Sequence, residues 1–436
     1  MAETNIASGS SLAIKHYSAA LFANMLKGTT AIDQLVGPVE PTAAMQKVAG
    51  QTAPGMPIVR IDNLMKSAGD VVSLDLVDTV GGEPLMGDVN REGKGSALSF
   101  SSMEIKIDLS SKVIDAGGSM SQQRTKHQLR EIALAQLSGY FPRLDAQETL
   151  VHLAGARGSQ TGSDWTIPLQ TAPNFSTIMV NSVKAPTYNR HYVVNGANLT
   201  KGGQQLGSVV STDVLKLAHL DLLRRILDDM DQPLQSVKLA GDKASQTSKM
   251  WVFLATPAQY SLLLTEGSLR AFQQNAVNRA AYFDTRHPLF AGEVGMWNGI
   301  LVIKNERAVR FAISETTKII TSANTATATE TDQAVNAALT SGYCVERGLL
   351  LGAQALGVAY GKTKVSGLQF GWKEHWYNFE SNLEVMGEKV CGKAKTRFSI
   401  DDGTGSKVPT DFGVIAVDSV VPAPALNSRR KFNGNT

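Results

Sequence analysis

The chain has 436 residues, with 42 Lys+Arg against 39 Asp+Glu and a formal net charge of +3. A 43% hydrophobic fraction is too rich in apolar material for a disordered chain, and near-cancelling charges exclude a nucleic-acid binder held by bulk basicity. Met1 to Ser11 lacks an apolar core and no run reaches about 18 uncharged apolar residues, so neither a secretory leader nor a membrane span is expected.

Residues 1–57 scatter their apolar side chains at no sustained period and read as an N-terminal arm, with a short helix over Ser11–Leu26 and an extended stretch holding Pro38, Pro41 and Pro54. Over 58–112 two alternating segments predict a β-arm. Val72, Leu74 and Leu76 alternate with Ser73 and Asp75; Met103, Ile105, Ile107 and Leu109 alternate with Glu104, Lys106 and Asp108. Leu98 and Phe100 are apolar on the opposite parity, which predicts a bulge near Ser101–Ser102. Gly81–Gly95 between them holds glycines, a proline and charges, and cannot build a core.

In 113–158, Ser119 with Gln122 fits a capping box. Leu129, Ile132, Leu137, Phe141 and Leu144 then recur at helical spacing. The pattern continues past Pro142 to Leu153, predicting a kinked spine of about 35 residues and ~50 Å. Residues 159–210 show no periodic element beyond the isolated anchors Trp165, Tyr188 and Tyr192, and read as an inserted loop.

An α/β middle spans 211–365. Val214, Ala218, Leu222 and Ile226 predict a helix over Ser211–Met230, followed by an apolar strand at Trp251–Ala255. Thr256-Pro257 is an N-cap with a first-turn proline, opening a helix through Leu264, and a further helix runs to Ala281. Strands are expected at Gly299–Lys304, Ala308–Ile313 and within Leu349–Tyr360. In 366–436, Trp372–Val390 reads as antiparallel strands, and Arg429-Arg430-Lys431 belongs to a solvated tail. Strands and helices in this order make the fold class α+β.

No chemical constellation emerges. Gly357–Thr363 resembles a phosphate loop, but three residues separate its glycines where four are required. The seven histidines form no HxxxH or HxH pair. His375, between Glu374 and Trp376, reads as a surface imidazole, and Asp228, Asp229 and Asp231 as an exposed turn or intersubunit contact. Cys344 and Cys391, without a CxxC or flanking histidines, read as buried reduced thiols. No catalytic, cofactor-binding or metal-ligating residue is assigned, and an enzyme is not expected.

The order of extended arm, β-arm, spine helix and α/β middle resembles the HK97-like fold of tailed-phage major capsid proteins. Residue blocks resemble the N4-like branch: Ala68-Gly69-Asp70, Pro84-Leu85-Met86-Gly87-Asp88, Glu92-Gly93-Lys94, Met120–Thr125, Leu150–Gly158, Pro288–Gly299 and Leu350–Ala355 occur in the family's order. The resemblance implies a shell subunit whose β-arm is the E-loop, whose P-domain carries the spine and whose A-domain is the α/β middle. It implies hexamers and pentamers of this chain forming an icosahedral head around packaged double-stranded DNA, bound without sequence specificity.

On that reading Glu83, Pro84, Leu85, Met86, Asp88, Arg91 and Lys94 at the E-loop tip contact a neighbour, while Leu129, Ile132, Leu137, Phe141 and Leu144 pack the spine. An arm with one apolar strand face cannot bury itself, so a neighbour is expected to supply the surface. Expected partners are a separate scaffolding protein and a portal, with a decoration protein as a further option, and no cofactor and no membrane. The location is the virion capsid, after synthesis in the host bacterial cytoplasm. The alternatives are an encapsulin-type nanocompartment shell and a soluble cytoplasmic α/β enzyme.

Overall fold

Apolar runs of four to nine residues become strands buried on both faces, and alternating segments become strands buried on one. The computed structural model describes residue 35 and residues 55–61, 69–77, 84–88, 91, 92, 94, 100–118, 129–161, 165–230, 232–238, 249–265, 295–322, 328–379, 381–401 and 407–423. In chain order they form β1 (Ile58–Ile61), β2 (Val71–Val77), β3 (Phe100–Lys106), β4 (Asp108–Gly118), α1 (Leu129–Ala154), α2 (Phe175–Met179), β5 (His191–Asn195), β6 (Asn198–Lys201), α3 (Leu217–Asp229), β7 (Trp251–Ala255), α4 (Pro257–Thr265), β8 (Gly295–Trp297), β9 (Ile300–Lys304) and β10 (Val309–Phe311). Then follow β11 (Thr316–Ile320), β12 (Glu330–Ala334), β13 (Tyr343–Leu351), β14 (Leu356–Tyr360), β15 (Phe370–Tyr377), β16 (Asn382–Lys395), β17 (Arg397–Asp401), β18 (Lys407–Asp411) and β19 (Val414–Pro422).

Two sheets organise the molecule. The larger, of eight strands, runs β6-β5-β19-β13-β7-β9-β8, with β10 also on β13. The smaller runs β1-β14-β16-β15, with β4 pairing β16. At the heart of the larger sheet β13 and β19 pair antiparallel from Tyr343↔Pro422 to Leu351↔Val414. One face packs Leu349 and Leu351 with Leu150, Leu153 and Ala154 of α1. The other packs Phe253 and Leu350 with Leu217, Leu220, Leu223 and Leu227 of α3 and Leu263 of α4. Helices cover both faces, so the central strands read as continuous apolar runs.

The spine α1 serves both sheets. Its first half sets Ala133, Leu137 and Phe141 against Trp372, Leu383 and Val385 of the smaller sheet; its second half enters the larger core. Leu144 is buried and Leu129 packs at the edge, but Ile132 is 45% exposed. Ile132 therefore leaves the predicted packing set, because the buried face runs through positions 133, 137, 141 and 144. The helix has 26 residues with Pro142 inside it. The expected capping box at Ser119 and Gln122 lies outside the described residues, as do the helices expected over Ser11–Leu26 and to Ala281 and the terminal basic run.

Other expectations change. Residues 159–210 are not simply a loop: β5 joins β19 in parallel and β6 closes that edge of the larger sheet. Five- and four-residue strands are too short to show a period. β2 and β3 pair without interruption from Val71↔Lys106 to Val77↔Phe100, so the bulge near Ser101–Ser102 is absent; Phe100 simply faces outward with Ser102 and Glu104. The irregularity lies instead between Asn382 and Glu384, where β16 pairs β4. β1, expected in the arm, pairs parallel with β14, and β19, expected among the P-domain return strands, enters the larger sheet. In α3 the buried face is Leu217, Leu220, Leu223 and Leu227, one step away from the predicted Ala218, Leu222 and Ile226. The Thr256 cap holds: the Gln259 amide donates to Thr256 Oγ1 at 3.2 Å, and the Thr256 amide donates to Gln259 Oε1 at 3.2 Å. Among the described residues no helix is long and apolar enough to cross a membrane.

Candidate functional site

The β2–β3 arm is the candidate site, and its base is built into the chain's own fold. Val72, Met103 and Ile105 are buried in a cluster with Ile61, Ala359, Ala394 and Phe398, joined by Leu74, Leu76 and Ile107. The expectation that a neighbour must cover this apolar face is thus corrected. The β14–β16 surface and the β17–β18 hairpin cover it, because glycines on these strands let the arm approach closely. A Cβ on Gly357 would stand 2.5 Å from Ile105 Cδ1, and one on Gly361 would stand 2.7 Å from Ile107 Cδ1. A Cβ on Gly392 would overlap the Lys106 carbonyl oxygen.

Polar groups fasten the same base. The Asn181 side chain mimics a strand, accepting from the Lys106 amide at 2.9 Å and donating to its carbonyl at 2.8 Å. The Ile107 amide donates to the Asp70 carbonyl at 2.9 Å. The Ser399 amide donates to Ser101 Oγ at 2.9 Å, and Lys407 Nζ donates to the Phe100 carbonyl at 3.0 Å.

The tip has no such cover. Pro84, Leu85, Met86, Asp88, Arg91 and Lys94 are all exposed, with Met86 at 75%. Glu83 lies outside the described residues. The described tip residues are thus all exposed, in the connection between two strands whose base is held by apolar and polar contacts alike.

Behind the arm, charged groups buried in the core hold its platform to the spine. Lys389 and Lys393 of β16 reach Glu148 and Asp145 of α1, with Lys389 Nζ 2.8 Å from Glu148 Oε2 and Lys393 Nζ 2.6 Å from Asp145 Oδ1. Burial alone would raise the Asp145 carboxyl, but Lys393 and Lys389 hold it below its ordinary range. Asp145, Glu148 and Cys391 place their ligand atoms within 4.8 Å of one another. Two ammonium groups already neutralise the carboxylates, and burial pushes the Cys391 thiol up to about 11, so the cluster is an ion-pair lock rather than a metal cradle.

A second lock joins the end of α1 to the larger sheet. Arg347 Nε lies 2.7 Å from Asp418 Oδ1, Arg347 Nη2 lies 2.8 Å from Asp418 Oδ2, and Nη1 donates to the Ala154 carbonyl at 2.8 Å. His191 Nε2 stands 2.7 Å from Asp418 Oδ2. Near the arm, Asp411 binds Lys395 and Arg397, both at 2.7 Å.

The remaining candidates sit apart. His375 is exposed on β15, its ring stacked 6.2 Å from that of Tyr377. Asp228 and Asp229 pair with Arg224 and Arg225 one turn earlier in α3, and Asp231 lies outside the described residues. Gly357–Tyr360 is strand rather than phosphate loop. Cys344 and Cys391 are free and buried, as expected. Sequence reading missed the Gly357, Gly361 and Gly392 socket; glycines on either side of β15 in the chain, brought together only by the pairing of β14 with β16, carry no local signal.

A family model described as "Phage capsid protein" matches residues 5–423. Among solved structures the chain is similar to the capsid of Ralstonia phage GP4, at 24% identity over 89% of this chain and 94% of that one, with a TM-score of 0.67. It is similar also to the cyanophage Pam1 capsid (15% identity, 85% and 90% covered, TM-score 0.57) and to the head of Helicobacter pylori bacteriophage KHP40 (10% identity, 90% and 92% covered, TM-score 0.54). At these identities the likeness is one of fold, the HK97-like fold of tailed-phage capsids. No curated protein matches.

Proposed function

The chain belongs to the phage capsid protein family, a major capsid protein of the virion and not an enzyme, and from that premise we propose how it assembles. Subunits of this family self-associate into shells. Here hexamers and pentamers build an icosahedral head, and the tip residues Pro84, Leu85, Met86, Asp88, Arg91 and Lys94, with Glu83, lie on a neighbouring subunit. The observation that carries this reading is the contrast along the arm: a base clamped in its own fold and a tip that exposes Leu85 and Met86. Exposed apolar side chains on an otherwise polar projection mark a contact surface, and a heterologous contact of arm on neighbour closes into rings.

The near-neutral chain suits a wall that encloses double-stranded DNA without gripping it. A separate scaffolding protein and a portal complete the assembly, a decoration protein is a further possible partner, and synthesis takes place in the host bacterial cytoplasm. The motif blocks favour the N4-like branch. An encapsulin-type compartment shares the fold but would carry a cargo enzyme in place of DNA.

Deleting Gly81–Lys94 tests the arm, because the ladder Val71–Val77 with Phe100–Lys106 stays intact. Electron microscopy of the deletion variant, expressed with its scaffold, is expected to show folded subunits and no closed shells. Normal shells from that variant would remove the arm tip from assembly, and an absence of shells from the intact chain would overturn the shell reading itself.

A further inference from the structure

The face of the smaller sheet turned away from α1 carries a surface pattern that the arm does not explain. Ile114 and Ala116 of β4, Leu383 and Val385 of β16 and Trp372 of β15 point to α1. Strand alternation therefore turns Leu109, Val113, Met386, Val390, Lys373 and His375 to the opposite side. Register sets Val113 opposite Met386 and Leu109 opposite Val390. Leu109 is 55% exposed and Val113 49%, so the β4 member of each apolar pair lies open, with Ser111 opposite Glu388 between the two pairs.

The same face carries acids. Asp115 stands directly opposite Glu384, a like-charge pair that disfavours the sheet unless a cation joins it. Four residues along β16, on the same face and between Met386 and Val390, Glu388 is buried and its Oε1 has no hydrogen-bond partner. Against these three carboxylates β15 supplies Lys373, opposite Met386, and His375, opposite Glu384. Where β15 turns into β16, Asn378 and Phe379 adopt left-handed φ of 54° and 53°, and the Phe379 ring is fully exposed.

A face that interleaves apolar pairs with acids and ends in an aromatic ring fits a segment mixing apolar and cationic side chains. The arm tip is a poor match: Glu83, Asp88 and Glu92 outnumber Arg91 and Lys94. A better match lies in the same chain, beyond the described residues: Leu426-Asn427-Ser428-Arg429-Arg430-Lys431-Phe432, with three cations, no acid and an apolar residue at each end. β19 ends at Pro422, and the nine residues from there to Lys431 span up to ~30 Å when extended.

We propose that residues 426–432 of one copy dock on this face of a neighbouring copy, with Phe432 on the Val113–Met386 pair and Arg429, Arg430 and Lys431 against Asp115, Glu384 and Glu388. The contact rests on the self-assembly reading and adds to it a second, electrostatic tie between subunits. Exposed charge contacts are screened by salt, so the tie weakens as ionic strength rises.

The test uses the full chain. Reversing the tail (R429E, R430E and K431E together) is expected to raise the subunit concentration needed for assembly on the order of tenfold at low salt, with the difference shrinking at high salt. Adding D115K and E384K to that variant restores assembly. In a V113C/F432C chain, mild oxidation of assembled particles links neighbouring copies, seen as multimers on a non-reducing gel. If the reversed tail assembles like the parent at low salt, if the charge swap fails to restore it, or if the 113–432 disulfide is missing or confined within one chain, the proposal falls. Shells formed by the parent chain in the same experiment keep that failure separate from failure of the shell reading.

Discussion

At the scale of single residues, the arm is seated by side chains that are missing. The absent Cβ atoms of Gly357 and Gly392 are not equivalent, because one would meet the end of a flexible side chain and the other a backbone oxygen. Ile105 Cδ1 can swing aside, so Gly357→Ala should cost about 1 kcal/mol. The Lys106 carbonyl cannot move without breaking its bond to Asn181, so Gly392→Ala should cost roughly 3 kcal/mol. Thermal unfolding of both variants, with hydrogen exchange at the Lys106 and Ile107 amides, checks the order; equal losses would refute the socket.

Titration at buried groups sets an acid limit on the unassembled subunit. Burial, with Lys393 adding to it, lowers His152 from 6.5 to about 3. Between those values the unfolded chain binds a proton that the folded chain refuses, so stability falls as pH drops from neutrality and levels off below about 3. For His152 alone this amounts to about 3 kcal/mol between pH 7 and pH 4. Asp145 and Asp411, held below the ordinary carboxylate range despite burial, act in the same direction at lower pH. Denaturant midpoints across this range should fall with acid, and His152→Gln should flatten the slope; an unchanged slope would take His152 out of the account.

At the scale of elements, α1 shows how spacing misleads when a helix serves two sheets. Ile132 fits the apolar period by eye yet lies on the solvent side, while Ala133 takes the buried position. Ile132→Ser should therefore change stability by less than about 0.5 kcal/mol, and Leu137→Ala, at a fully buried position, should cost ~2–5 kcal/mol. Chemical denaturation of the two variants separates them; a large loss at Ile132 in the unassembled subunit would contradict the packing described. The strands of the arm were legible from alternation, those within Trp372–Val390 from their polar-aromatic composition, and the apolar runs at Trp251–Ala255 and Leu349–Tyr360 from their length and composition. β5 and β6 were not, because four or five residues with a mixed pattern carry no period, and only the neighbouring β19 makes strands of them.

At the scale of the whole molecule, α1 is tied to the smaller sheet through Lys389 and Lys393 and to the larger through Arg347. Replacing Arg347 by Met would leave Asp418 buried beside a neutral neighbour and free the Ala154 carbonyl, a loss of roughly 3–5 kcal/mol. Equilibrium unfolding followed by tryptophan fluorescence should show this as one cooperative shift, and a cost below about 1 kcal/mol would mean the lock is dispensable.

Composition and alternation were enough, by themselves, to give an α+β chain with a β-arm, and ordered residue blocks to mark its resemblance to a capsid family, because these depend on local period and on motifs read along the chain. The tertiary structure alone decided that the arm's apolar face is covered by its own subunit, that β1 and β19 leave their sequence neighbours for other sheets, and that lysines of β16 pair with acids of α1. Each of these joins residues far apart in sequence, and the burial that makes a glycine a socket or a lysine a lock exists only once the strands have come together.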